Sequence, residues 1–188
     1  MKTLKEIYTK YSTPEGKGDK GTIHSYMDLY QEHILNKDKC SLFEIGICEG
    51  HSIAMWKEFL TNGEIWGIDI DTSVIKFDLS GCTIIRGDAT NEGIVNFLNG
   101  KKFDYIIDDG SHLISHQIKS FELLFNSLKD DGKYFIEDIT YENSLILEKL
   151  LSTNNFKFEK FDFIKKSGRN DDIIFIIYKN ECDSNRSK

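Results

Sequence analysis

Three carboxylates and an imidazole are the residues in this chain best suited to chemistry. The stretch FDYIIDDGSHLISH, residues 103–116, runs from an apolar strand pattern into two acids, a glycine, a serine and a histidine. A second acidic pair, Glu137-Asp138, ends the later apolar run GKYFIED. If both runs are neighbouring strands, Asp109, Glu137 and Asp138 meet at their carboxyl ends. Like charges so placed repel and raise one another's pKa unless a cation joins them. Oxygen donors of this kind suit Mg²⁺, with waters or substrate completing the shell. His112, three residues past Asp109, can reach the same cavity as a proton acceptor, since its ordinary pKa is about 6.5. His116 lies one helical turn further and could support it. A plainer reading stays open: Asp109 or Ser111 caps the following helix, and Glu137-Asp138 is a solvated strand end.

Other strand ends add to the list. After SLFEIG comes ICEGHS, where Gly46 and Gly50 allow a tight turn before a helix whose first N–H groups face a ligand. The spacing GxxxG is not the dinucleotide fingerprint, and no lysine followed by serine or threonine closes the loop as in phosphate-loop nucleotide hydrolases. Asp69 ends the run EIWGID, 23 residues beyond Gly46, about where an acid accepts from both hydroxyls of a ribose. Asp88, in GDAT, either caps a helix starting at Asn91 or touches the ligand. Asp108 ends its strand and supports the turn that Gly110 permits.

Positioning these residues takes alternating strands and helices. Apolar runs predict strands at SLFEIG, EIWGIDI, CTIIRG, FDYIID and GKYFIED, then a closing pair FKFEKFDFI and DDIIFIIYK. Helical spacing marks TIHSYMDLYQEHIL, residues 51–59, NEGIVNFL, ISHQIKSFELLFNSL and YENSLILEKLLS. The link 71–81 is too short for a full helix. The expected fold is α/β: an open, mostly parallel seven-stranded sheet covered on both faces, with an antiparallel C-terminal edge. Ligands of such sheets bind outside the carboxyl ends of the strands. Residues 1–40 are expected to form a lid or helical segment, 41–180 the ligand-binding domain and 181–188 a frayed tail.

Composition narrows the function. The 188 residues carry a formal charge of −7, which argues against a large nucleic-acid footprint. The N-terminus lacks the apolar core of a signal peptide, and no run is long enough to span a membrane. Cys40, Cys48, Cys82 and Cys182 form no CxxC, so buried free thiols in a reducing, cytoplasmic setting are expected.

Together these motifs resemble a known family. FEIGICEGHS, IDI and GDAT are similar to the cofactor loop and the second and third motifs of class I S-adenosylmethionine-dependent methyltransferases, over roughly residues 41–139. DKGTIHSY, IIDDGSH and FIED are similar to the macrocin- and tetracenomycin-type sugar O-methyltransferases. The resemblance implies a Rossmann-like methyltransferase using S-adenosyl-L-methionine and Mg²⁺ to methylate a hydroxyl of a small-molecule sugar or glycan. It places Glu44, Gly46 and Gly50 at the methionine end, with Ser52 and Asp108 in the same cleft. Asp69 would hold the ribose and Asp88 the adenine amine. Asp109, Glu137 and Asp138 would bind Mg²⁺, with His112 as base; the acid pair follows Asp109 by 28 and 29 residues, as in that family. His24 and Tyr26 match its N-terminal motif, carried over as a lid, with His24 at the cofactor. Two alternatives remain: a metal-independent methyltransferase, and a non-catalytic nucleoside-binding module. Homo-oligomerisation is open.

Overall fold

The computed structural model describes residues 2–12, 19–21, 24, 26–35 and 39–180. The expected tail and Cys182 lie outside them, as does most of PEGKGDKG, residues 14–21, expected as a flexible or lid-like connector.

Seven strands form one sheet in the order β3-β2-β1-β4-β5-β7-β6. They are β1 Ser41–Ile45, β2 Glu64–Asp69, β3 Thr83–Arg86, β4 Phe103–Asp108, β5 Leu128–Ile139, β6 Lys157–Asp162 and β7 Ile173–Tyr178. The first five run parallel, and β7 inserts antiparallel between β5 and β6. Chain order reverses at β1/β4, which makes that junction the topological switch point. All five residues of β1 are buried, as expected of a strand covered on both sides.

Alternation along the strands divides the core. Leu42, Ile107, Phe135 and Ile176 face one layer, built with α1 (Leu4–Tyr11), α2 (Tyr26–His33) and α3 (His51–Phe59). Phe43, Ile106, Ile136 and Phe175 face the other, under α4 (Gly93–Leu98), α5 (Ile114–Leu124) and α6 (Tyr141–Thr153). The two-residue period sends neighbouring acids to opposite faces. Asp108 therefore turns under α5, while Glu44 and Glu137 join the layer of α1–α3.

Two elements differ from the sequence expectation. The first twelve residues, polar and lysine-rich within the expected lid or helical segment, contain α1. Its signal is a Thr3/Glu6 capping box plus Leu4, Ile7 and Tyr8, an i, i+3, i+4 stripe hidden among lysines. Helix α5 stops at Leu124, where a 3₁₀ turn takes over Phe125–Ser127. The link after β2 contains only a 3₁₀ turn, Thr72–Val74, and β6 with β7 forms the expected hairpin. No helix among the described residues is long and apolar enough to cross a membrane.

Candidate active site

Two cavities open along the carboxyl ends of β1, β2 and β4. The larger, about 430 Å³, is lined by Tyr8, Lys20, Gly46, Ser52, Asp69, Asp109, His112 and Asp138, among others. The smaller, about 280 Å³, includes Asp69, Asp88, Asp108, Ser111 and His116. Gly46, Asp69 and Gly110 border both, so the two are halves of one cleft across the switch point.

The floor of that cleft is set by backbone geometry. Gly46 has φ +87°, and a Cβ there would stand 2.0 Å from the carbonyl oxygen of Asp109. Asp109 N–H donates to Ile45 O at 2.9 Å, so the β1 and β4 turns are locked together. Gly50, at φ +92°, turns the chain into α3. Cys48, His112 and Asp138 also adopt positive φ, at 48°, 55° and 56°, and all three line the larger cavity. Left-handed backbone at non-glycine residues costs roughly 1–3 kcal/mol each and collects at functional sites.

Acids from three strands meet a set of donors from the N-terminal segment. Lys20, only 3% exposed, places its ammonium 2.5 Å from Asp109 Oδ2, 2.6 Å from Glu137 Oε1 and 3.4 Å from Glu44 Oε1. Tyr30 donates a short hydrogen bond to Glu137, and Tyr26 donates to Asp138 Oδ1 at 2.9 Å. His24 Nδ1 lies 3.0 Å from Asp172 Oδ1 and 3.4 Å from Asp138 Oδ1. His112 Nδ1 approaches Asp138 Oδ2 at 3.6 Å from the half-exposed lip. Among the described residues, Asp109, His112 and Asp138 each bring a ligand atom within 4.8 Å of the others, a donor set that suits a hard divalent cation.

Burial dominates the electrostatics. It opposes the charged form of Lys20, yet Asp109, Glu137 and Glu44 hold its ammonium well above the ordinary lysine value. Burial raises Asp138 to about 6, reinforced by Asp109 and opposed by His24, His112 and Lys20. Glu137 is raised further by its burial, against the pull of Lys20. Glu44, wholly buried and with neither oxygen accepting a hydrogen bond, is raised by burial to about 7, with Lys20 opposing. An acid whose folded pKa is raised stabilises the fold fully below its unfolded value and loses that contribution as pH rises through the folded one. Between pH 4.5 and about 7 the native chain should therefore lose stability through Glu44, on the order of 3 kcal/mol. Urea melts at stepped pH should show this slope, and Glu44→Gln should make it shallower, leaving the share of Asp138 and Glu137.

The sequence-predicted residues are placed unevenly. Asp69 accepts backbone N–H bonds from Ile47, Cys48 and Asp71, each at 2.8 Å, so it ties the glycine loop to β2 while facing both cavities. Asp88 does not cap α4, which begins at Gly93; its Oδ1 accepts from the N–H and hydroxyl of Thr90, closing a turn at the cleft. Asp108 is buried and accepts from Ser120, Gly110 N and Tyr134, so its work is to hold the turn. Ser52 lines the larger cavity, whereas Glu44 is fully buried and outside its lining. His24 lines neither cavity and instead backs Asp138. His116 pairs with Ser111 at 2.9 Å and lines the smaller cavity, away from the supporting role expected beside His112. Glu137 stands outside the Asp109–His112–Asp138 group, its carboxylate engaged by Lys20 and Tyr30.

Lys20, Tyr30 and Asp172 were missed. Lys20 sits in the quoted DKGTIHSY motif, but a lysine beside glycines reads as a solvated turn. Asp172 immediately precedes the last strand, and its carboxylate partner His24 lies 148 positions away. Cys48 and Cys82 were expected to be buried; Cys48 is exposed at the larger cavity and Cys82 is half-buried. Cys40, Cys48 and Cys82 are free thiols.

No family model matches the chain. It is 32% identical over 147 residues to demethylmacrocin O-methyltransferase of Streptomyces fradiae, covering 72% of this chain and 36% of that protein. It is 32% identical over 148 residues, with the same shares, to mycinamicin VI 2''-O-methyltransferase of Micromonospora griseorubida. The chain thus spans about a third of the length of the curated relatives it matches. Among solved structures, the MycE methyltransferase of mycinamycin biosynthesis, in complex with Mg, SAH and mycinamycin VI, superposes with a TM-score of 0.74 at 24% identity, covering 95% of this chain and 54% of that one. The chain therefore has the Rossmann-like fold of class I methyltransferases and, over about two thirds of its length or more, is related in sequence to the macrocin- and tetracenomycin-type sugar O-methyltransferases.

Proposed function

We propose that the chain is a Mg²⁺-dependent O-methyltransferase that moves a methyl group from S-adenosylmethionine to a hydroxyl of a sugar or glycan-type acceptor. The observation that carries this reading is the convergence of Asp109, Asp138 and His112 within 4.8 Å, beside a glycine-floored cleft, in a chain related to sugar O-methyltransferases. Residues 41–180 supply the cofactor cleft, and the N-terminal residues supply donors that orient its acids.

The cleft suits the cofactor in two parts. Asp69, already fixed by three backbone N–H groups, keeps an Oδ1 lone pair for a ribose hydroxyl between the cavities. Asp88, His116 and the apolar Ile68 and Ala89 give the smaller cavity the character of a base pocket, and Ser52 with the Gly46 turn borders the larger one. Asp109 and Asp138, with Glu137 beside them, are the residues to hold Mg²⁺. When bound, the ion would lower the cost of deprotonating an adjacent hydroxyl, while the cofactor supplies an activated methyl group. His112 accepts the hydroxyl proton from its place at the lip. Tyr26 and the His24–Asp172 pair keep Asp138 turned toward His112. Orientation is most of what the protein must add, because the sulfonium is already a good leaving group.

Two steps test the proposal. Calorimetry should show S-adenosylmethionine binding, weakened about 10-fold or more in Asp69→Ala, which loses ribose contacts and the loop tie together. Labelled cofactor should then methylate a member of a panel of glycosides, nucleotide sugars and glycans, with turnover abolished by EDTA and restored by Mg²⁺. Turnover indifferent to EDTA would establish the metal-independent alternative; cofactor binding without transfer to any acceptor would favour the binding module.

A further inference from the structure

Lys20 contacts three carboxylates of the site, Glu44, Asp109 and Glu137, and the proposed reaction gives it no role. Its stem and ammonium are 97% hidden, so the charge has no solvent to return to in this arrangement. The oxygens it holds, Asp109 Oδ2 and Glu137 Oε1, are at 2.5 and 2.6 Å, with Glu44 at 3.4 Å. Asp109 is also a member of the group able to bind a divalent ion, and Asp138 follows Glu137 directly. Lys20 borders the same cavity as His112 and Asp138. An ammonium and a hard metal ion seek the same thing here, carboxylate oxygen in a low-dielectric pocket, and the two repel one another at this range.

We propose that Lys20 sets the metal affinity of this site by competing, through its ammonium, with the divalent ion for Asp109 and Glu137. The inference rests on the metal reading above and adds to it a resident cation. The competitor is tethered, so its effective concentration does not change with dilution. It keeps buried acids compensated when metal is scarce, since uncompensated buried charge is strongly destabilising. Metal that binds must offset loss or weakening of the lysine pairs, so the observed affinity is lower than the bare acids would give.

The test uses the full chain, stripped with chelator and titrated with Mn²⁺ alone at neutral pH, by calorimetry and by the electron paramagnetic resonance signal of free Mn²⁺. Lys20→Met keeps the stem and removes the charge; it should bind Mn²⁺ at least about tenfold tighter than the native chain. Lys20→Gln, which retains a donor for Glu137, should tighten binding likewise and guards against a Met variant that does not fold. Both variants should also gain more in melting temperature from saturating Mn²⁺ than the native protein does. A lysine with a purely structural role would leave affinity unchanged or lower it, and that result in a folded variant overturns the competition while native binding leaves the metal reading standing. Binding by the variants alone supports competition. Binding by neither variant nor native chain removes the metal reading and this inference with it.

Discussion

Replacing His112 with alanine is expected to slow methyl transfer by about 10²–10⁴-fold, the range for losing a positioned general base, while the cofactor still binds. The geometry separates His112 from the other candidates. It stands at the cavity lip, 3.6 Å from Asp138 and half exposed, where an incoming acceptor can meet it, whereas His51, which also lines that cavity, is engaged by the Tyr11 carbonyl and Glu49. His24 is buried behind Asp138, and His116 faces the smaller cavity with Ser111. Its left-handed backbone, φ 55°, points the same way, since such strain persists where surrounding structure enforces it. His112 could instead serve as a ligand, because its Nδ1 belongs to the same compact group as the acids. Mn²⁺ affinity in His112→Ala distinguishes the two. Unchanged affinity with slow turnover marks a base, whereas a matching loss of affinity and turnover marks a ligand.

Gly46→Ala should be the most damaging single-atom-scale change in the cleft. Two costs add. The residue holds φ +87°, which an alanine adopts only with strain, and the new methyl would stand 2.0 Å from the Asp109 carbonyl oxygen. Neither partner can yield cheaply: the methyl is fixed directly to Cα, the oxygen is backbone, and the Asp109 N–H donates to Ile45 O. We expect a loss of about 3 kcal/mol or more, seen as a melting temperature lower by roughly 6–12 °C for a chain of this size. Cofactor binding should fail as well, because relief of the clash must push the β1 and β4 turns apart. Gly50→Ala is the control. It shares the positive φ, 92°, but its nearest neighbours are side chains at 3.4 Å, so the strain comes without the collision and the loss should be smaller.

Much of this arrangement could be read from the chain. Strands such as SLFEI and FDYIID are short, apolar and bounded by turn residues, and the alternation with helices dictates a sheet covered on both faces. That places every strand-end acid on one rim without any knowledge of distances. Which face each acid takes followed from the two-residue period, and Asp108 and Asp109 do part company as that period requires. Pairings across long separations were not legible. Lys20 meets Glu137 across 117 positions and His24 meets Asp172 across 148, and no local pattern announces such contacts. Helix α1 was hidden for a different reason: its three core residues are interspersed with lysines and other polar residues, and burial against α3 rather than composition decides its fate. Asp88 shows the limit of capping rules, since an aspartate can close a turn onto Thr90 as readily as start a helix.

The central claim is that the strand-end acids hold a divalent ion where His112 can act on a hydroxyl beside it. Its most direct measurement is an anomalous difference map from crystals of the full chain grown with Mn²⁺ and S-adenosylhomocysteine, using a preparation shown to transfer methyl groups. The expected result is one strong peak in contact with Asp109 and Asp138, next to the cofactor and within reach of His112. Cofactor bound in the cleft of an active preparation, with no anomalous peak at those carboxylates, would contradict it.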